Sequence, residues 1–109
     1  MSLEIGLKAE DRVVKFLQKN SYKIIKRNFH SKFGEIDIVA KKDGVLNFFE
    51  VKYSKNYDPI ERITPSKMKK IIKTVDYYFM LNVCDEEYQI NAALVTSTDI
   101  EIIENISSF

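Results

Sequence analysis

The polar and apolar positions of Phe33–Ser54, FGEIDIVAKKDGVLNFFEVKYS, alternate with a period of two on either side of Asp43-Gly44. That pattern predicts two strands, because successive side chains on a strand point to opposite faces. An Asp-Gly pair between such runs predicts a two-residue type I′ turn, in which both central residues take a positive φ. The turn fixes the pairing: Lys42 faces Val45, Asp37 faces Glu50 and Glu35 faces Lys52. All four of Glu35, Asp37, Glu50 and Lys52 then share a face with Val39 and Phe48, while Ile36, Ile38, Ala40, Phe49 and Val51 make the other. Both faces carry apolar residues, so both are expected to be covered.

The same kind of reading extends along the chain. Over residues 3–20, Leu3, Leu7, Val14 and Leu17 recur at helical spacing and define one stripe, with Glu10 near its centre. Gly6, one turn before Glu10, permits close backbone approach. Residues 22–29 predict a strand with Ile24, Ile25 and Phe29 inward in part and Lys23, Lys26 and Arg27 outward, and His30-Ser31-Lys32 a short turn. A loop is expected over Ser54–Ile63, turning at Asp58-Pro59. Thr64-Pro65 then marks a helix start, Thr as N-cap and Pro at the first helical position. Met68, Ile71, Ile72, Val75, Tyr78 and Phe79 give that helix its apolar face, and lysines occupy the rest of its first turns. Asn82–Glu87 reads as a polar turn, Tyr88–Thr96 and Ile100–Glu104 as strands, and Phe109 as a packed end. The order is helix, three strands, helix, two strands. It predicts one α/β domain over residues 1–109, with a mixed central sheet flanked by helices on both faces. The helix between the third and fourth strands permits a parallel crossover.

Composition changes this picture in its charge. All 17 Lys and Arg fall at or before Lys73. The first 73 residues carry nine acids and a net charge of +8; the last 36 carry seven acids, no base and a net charge of −7. Such asymmetry points to a polyanion-binding surface opposite an acidic one. The single Cys84 has no internal disulfide partner and is expected to be an inert small hydrophobe, in keeping with a reducing, cytoplasmic setting. His30 is the only histidine, and without a second His or a Cys beside it a zinc site is not supported. No apolar run long enough to span a bilayer occurs, and the N-terminus lacks the pattern of a secretory signal.

Facing acids are where the chemistry begins. Facing side chains on paired strands lie roughly 4.5–5.5 Å apart at Cβ, and like charges there destabilise the pair. Asp37 opposite Glu50 therefore calls for a compensating cation, proton or base; the competing explanation is an open face with solvated acids. With Glu10 overhead, two or three carboxylates form a hard-oxygen site suited to Mg²⁺ or Mn²⁺. Lys52, two residues past Glu50, is placed to hold a water or to offset phosphoryl charge. Phosphodiester hydrolysis is the reaction that fits, with a basic surround for a polyanionic substrate.

Asp37 followed on the next strand by Glu50-x-Lys52 resembles the PD-(D/E)xK nuclease core of restriction endonucleases and Holliday junction resolvases. The wider pattern is Gly6-x-x-x-Glu10, then Asn20–Asn28, Gly34–Ala40 and Phe48–Tyr53, then a lysine-rich amphipathic helix. It resembles the YraN family of small bacterial proteins across essentially the whole chain. The resemblance implies a restriction-endonuclease-like αβββαβ core and a Mg²⁺-dependent (or Mn²⁺-dependent) endonuclease, acting on DNA that is branched. It implies Asp37, Glu50, Lys52 and Glu10 as catalytic residues, the three acids as metal ligands, and Glu35 as an accessory group tuning Lys52. Lys67, Lys69, Lys70, Arg27 and Lys55 are the expected nucleic-acid contacts, and small resolvase-like domains often bind as homodimers. Two positions depart from the family pattern: Ser54 stands where Arg is usual, and Gln89-Ile90-Asn91 where an Arg-Phe-Asp-like run is common. A nucleic-acid-binding module that keeps the fold without the catalysis is the alternative; a partner-binding protein using the acidic half is a third.

Overall fold

The computed structural model describes residues 3–55 and 63–108, with side chains described over residues 8–55 and 63–107. The elements follow the expected order: α1 (Leu3–Lys19), β1 (Lys23–Ser31), β2 (Gly34–Lys42), β3 (Val45–Tyr53), α2 (Pro65–Leu81), β4 (Glu87–Val95) and β5 (Ile100–Ile103), then a short 3₁₀ turn at Ile106–Ser108. The expected turn at Asp58-Pro59, the packing of Phe109 and the contributions of Leu3 and Leu7 fall outside the described residues.

The five strands form one sheet in the order β1-β2-β3-β4-β5. All neighbours are antiparallel except β3 and β4, which are parallel and joined through α2. The mixed α/β sandwich expected from the sequence is what the chain builds. One sheet face packs Ala9, Val13 and Leu17 of α1 against Ile38, Ala40, Phe49, Val51, Ala93 and Val95. The other packs Ile71, Val75 and Tyr78 of α2 against Phe29, Ile36, Val39, Leu46, Phe48, Ile90 and Ala92. Phe48 is fully buried there, with edge-on contacts to Tyr78, Phe79 and Tyr88 at centroid distances of 5.3, 5.8 and 5.9 Å. Aromatic pairs of this geometry each contribute about 0.5–1.5 kcal/mol beyond their burial.

Asp43 and Gly44 take φ values of 50° and 80°, the double left-handed geometry of a type I′ turn. The pairing next to it is the one the turn dictates: Lys42 with Val45, Lys41 with Leu46, Val39 with Phe48. Thr64 caps α2 through its side chain, which accepts from the Lys67 N–H at 3.1 Å, and Pro65 opens the helix. Four local expectations need correction. β1 runs through Ser31, so the turn is Lys32-Phe33 rather than His30–Lys32. A register shift between Ile24 and Lys26 turns Ile25 outward, leaving it 40% exposed. On α2, Ile72 is exposed and Thr74 buried in its place, because the Thr74 hydroxyl is satisfied by the Lys70 carbonyl at 2.9 Å and by Ser31 at 2.8 Å. Cys84 is exposed, lying in the connection after α2 and not against the core.

Among the described residues the buried polar side chains are Glu10, Asn47, Glu50, Thr74 and Asn91. Asn47, Gln89 and Asn91 form an amide cluster on the α1 side of β3 and β4. The Asn47 carbonyl oxygen accepts from Gln89 Nε2 at 2.8 Å and Asn91 Nδ2 at 2.9 Å, and Asn91 Oδ1 accepts the Asn105 N–H at 3.0 Å. Among the described residues no helix is long and apolar enough to cross a membrane.

Candidate active site at the strand fork

The β2–β3 ladder ends at Ile38 and Phe49, one pair short of Asp37 and Glu50. Beyond that point β3 stays paired with β4 through Tyr53, while β2 stays paired with β1 through Gly34. The two strands therefore part, and the sheet forks. Had the ladder continued, the Val51 N–H would meet the Ile36 carbonyl. Instead it donates to Asp37 Oδ2 at 2.7 Å. The Asp37 carboxylate thus fills the crotch of the fork, replacing a backbone acceptor that the splayed strand has taken away.

Asn28 is the device that opens the fork. It lies between the Arg27–Ile38 and Phe29–Ile36 pairs, level with Asp37, and its φ is 52°. A left-handed residue interrupts strand alternation, and Asn is among the few side chains that tolerate it. The consequence corrects the expected faces. Ile36 does not share a face with Ile38; it joins Phe29 in the α2-side core, while Ile38 stays with α1.

On the α2 side, Glu50 is buried at 9% exposure, on the same face as Phe48. Lys52 Nζ approaches its Oε1 at 3.4 Å and Lys67 Nζ at 3.3 Å. Lys67 comes from the first turn of α2, and was expected only as a nucleic-acid contact. A signal for it exists in the sequence. The first turn of α2 contains no acid, although the positive end of the helix dipole favours one there. The dipole disfavours a lysine at that position, and the Glu50 carboxylate at 3.3 Å offsets this.

Burial pushes the Asp37 carboxyl up to about 7; the negative charge of Glu50 pushes the same way, and the Val51 N–H opposes. Lys52 is lowered, by burial first and then by the neighbouring Lys67, with Glu50 opposing. For Lys67, burial works downward, but its contacts with Lys52 and Glu50 outweigh that and hold it above the ordinary lysine value. The fork is a charge notch: two acids with the cost of facing each other, and two lysines sharing one of them.

The remaining expected residues are placed elsewhere. Glu10 is buried on α1, on the other side of the sheet, and its Oε1 accepts from Arg27 Nε at 2.9 Å and Asn28 Nδ2 at 3.2 Å. It acts on Asp37 only through a small Coulombic contribution, and among the described residues no three His, Cys, Asp or Glu side chains converge as a metal cage. Arg27 also donates to Asp11 at 2.6 Å, so its guanidinium is engaged by acids. Glu35 pairs with His30 at 3.1 Å; the fork has carried it away from Lys52. Lys55, Lys69 and Lys70 are exposed. Gln89 and Asn91 sit in the amide cluster on the opposite face of the sheet from Glu50, Asn91 one residue before the Ala92 that pairs with Glu50, so that departure from the family pattern does not enter the notch.

Two carboxylates in a partly desolvated notch are hard-oxygen donors, the type taken by Mg²⁺ and Mn²⁺, which retain several waters of their own. Asp37 keeps its second oxygen, and the mutual repulsion of the pair would be relieved by a cation between them.

A mixed α/β domain with a forked sheet, two acids and two lysines at the fork defines the class of this protein. The chain belongs to the uncharacterised protein family UPF0102, whose model matches residues 9–103; this is the YraN family that the sequence motifs resemble. It is similar to a UPF0102 protein of Campylobacter jejuni, 47% identical over 103 residues covering 94% of this chain and 92% of that one. It is also similar to one of Helicobacter pylori, 49% identical over 102 residues, 94% and 90% of the two chains. A relative from Nitratiruptor is 45% identical over 103 residues, 94% and 92% of the two chains.

Proposed function

We propose that this protein is a metal-dependent endonuclease-like phosphodiester hydrolase acting on DNA, with Asp37 and Glu50 holding Mg²⁺ or Mn²⁺. The observation that carries the reading is the fork, which brings Asp37, Glu50, Lys52 and Lys67 to one notch although they lie on three elements. Bound there, the cation would supply Lewis acidity toward a phosphoryl oxygen and a lowered pKa for water. Asp37, fixed by the Val51 N–H, presents its free oxygen in a set direction. Lys52, its Nζ 3.4 Å from Glu50, is placed to hold the attacking water. Lys67, held charged, offsets negative charge gathering on the phosphoryl group. Glu10 acts by anchoring Arg27 and Asn28, which keep the fork open. The exposed lysines of α2 and Lys55 line an approach for a polyanion, and branched DNA in the cytoplasm is the substrate and setting this reading extends to.

The test is cleavage of branched, nicked and single-stranded-flanked DNA with Mg²⁺ or Mn²⁺. Asp37→Asn and Glu50→Gln are each expected to lose at least about 100-fold in rate, the scale on which metal-site groups act. Full activity in both variants would sink the assigned pair. One observation favours a second reading, a binding module without catalysis: Glu10 is occupied by Arg27 and Asn28, leaving two carboxylates rather than three. Salt-sensitive DNA binding with no cleavage of any form would favour it.

A further inference from the structure

Phe33 sits at the tip of the β1–β2 hairpin, 38% exposed, an uncommon place for a large aromatic in a two-residue turn. Two ammonium groups lie close to its ring, Lys32 Nζ at 5.2 Å and Lys73 Nζ at 5.1 Å from the centroid. The tip is held firmly. The Phe33 N–H donates to Ser31 Oγ at 3.0 Å, and Ser31 Oγ meets Thr74 Oγ1 at 2.8 Å. Thr74 gives its own proton to the Lys70 carbonyl at 2.9 Å, and the Ser31 hydroxyl proton is shared between Thr74 Oγ1 and the Gly34 carbonyl at 3.3 Å. The hairpin is in this way bolted to α2 just where Phe33 turns outward.

The lysines of α2 connect this tip to the notch. Lys67 lies on Glu50, Lys70 packs beside Gly34 at the base of the tip, and Lys73 reaches the Phe33 ring. They recur every third residue, so each rises about 4.5 Å along the helix from the last. Lys70 and Lys73 are exposed. A line of cations ending at a pinned, exposed aromatic is the arrangement by which proteins hold single strands: charge follows the backbone and a ring takes a base.

Resting on the nucleic-acid reading above, we propose that Phe33 is a base-stacking residue that seats an unpaired nucleotide of DNA, with Lys32, Lys70 and Lys73 on its phosphates. The substrate class this assigns is DNA with unpaired bases a short distance from the phosphate presented to Asp37 and Glu50. Lys32 and Lys73 exchange the ring for phosphate oxygens when a base takes their place.

The chain contains no tryptophan, so Phe33→Trp installs a single emitting indole at the tip. In metal-free buffer this variant would be titrated with oligothymidylate, a blunt duplex of equal length, and inorganic polyphosphate, with binding followed separately by anisotropy. Oligothymidylate should quench the indole and polyphosphate should not. Phe33→Ala should bind oligothymidylate about tenfold more weakly than wild type, with duplex affinity changed less than about twofold. Oligothymidylate binding without any change in emission, equal quenching by polyphosphate, or equal weakening on both DNAs would each overturn the assignment of Phe33. Wild-type protein that binds none of the three probes would instead overturn the nucleic-acid reading and this inference with it.

Discussion

Asp37 accepts the Val51 N–H and faces the charge of Glu50, so its ionisation and the stability of the fold are linked. Its carboxyl is raised to about 7 in the folded chain, by burial and then by Glu50, against about 4 in an unfolded one. Between those values the folded state holds a proton that the unfolded state has lost. Stability from this group is therefore present at the acid end and declines as pH rises toward 7. For metal-free protein the decline has a ceiling of about 4 kcal/mol for a shift of this size. Denaturant unfolding from pH 5 to 7 should show the decline in wild type and a flatter profile in Asp37→Asn; parallel profiles would count against the assigned environment. At this scale the nearness of Asp37 and Lys52 to Glu50 was legible from alternation and the turn, although the ladder stops one pair before Asp37 and Glu50. Lys67 and the true partners of Glu10 and Glu35 were not, because they depend on how a helix far along the chain, and a left-handed Asn28, arrange strands in three dimensions.

Among the elements, the β2–β3 hairpin was read most fully. Both turn residues are left-handed, and around Gly44 a Cβ would meet nothing within 4 Å. Gly44→Ala therefore isolates backbone strain from packing, and should cost about 1 kcal/mol, measured as a shift in denaturation midpoint without a change in slope. A neutral result would mean the turn relaxes to another type. The hairpin's far end was misread for a physical reason. Turn chemistry sets register near the turn, but it carries no information about where two strands part. That is decided by β1 holding β2 across their own hairpin and by β4, remote in sequence, holding β3.

For the whole molecule, the charge division in the sequence becomes a division in space. The basic segment supplies β1, β2 and β3, and the acidic segment supplies β4 and β5, which adjoin at one edge of the sheet. An ion pair between Lys41 and Glu86 spans the boundary. DNA binding should accordingly weaken with salt, log K falling with log salt by about 0.9 for each phosphate neutralised on duplex. Lys70→Gln should weaken binding across sequences and reduce that slope by about 1. An unchanged slope would remove Lys70 from the contact surface. The α/β sandwich itself was legible from element order alone; which cations lie on the same side as the notch was not.

The amide cluster of Asn47, Gln89 and Asn91 bears on how the chain avoids pairing wrongly. Where β3 and β4 run parallel, their apolar stretches, Phe48-Phe49 against Ile90 and Ala92-Ala93, would tolerate a slide of two residues with the faces preserved. A slide breaks the set of bonds the amides make together, and each buried amide group of Asn47 or Asn91 left unbonded costs about 1–3 kcal/mol. They work as a key that favours one alignment. Glu50 keeps its level on the sheet, and hence its reach to Lys67, because a polar lock on the opposite face of the same strands favours this setting over its neighbours.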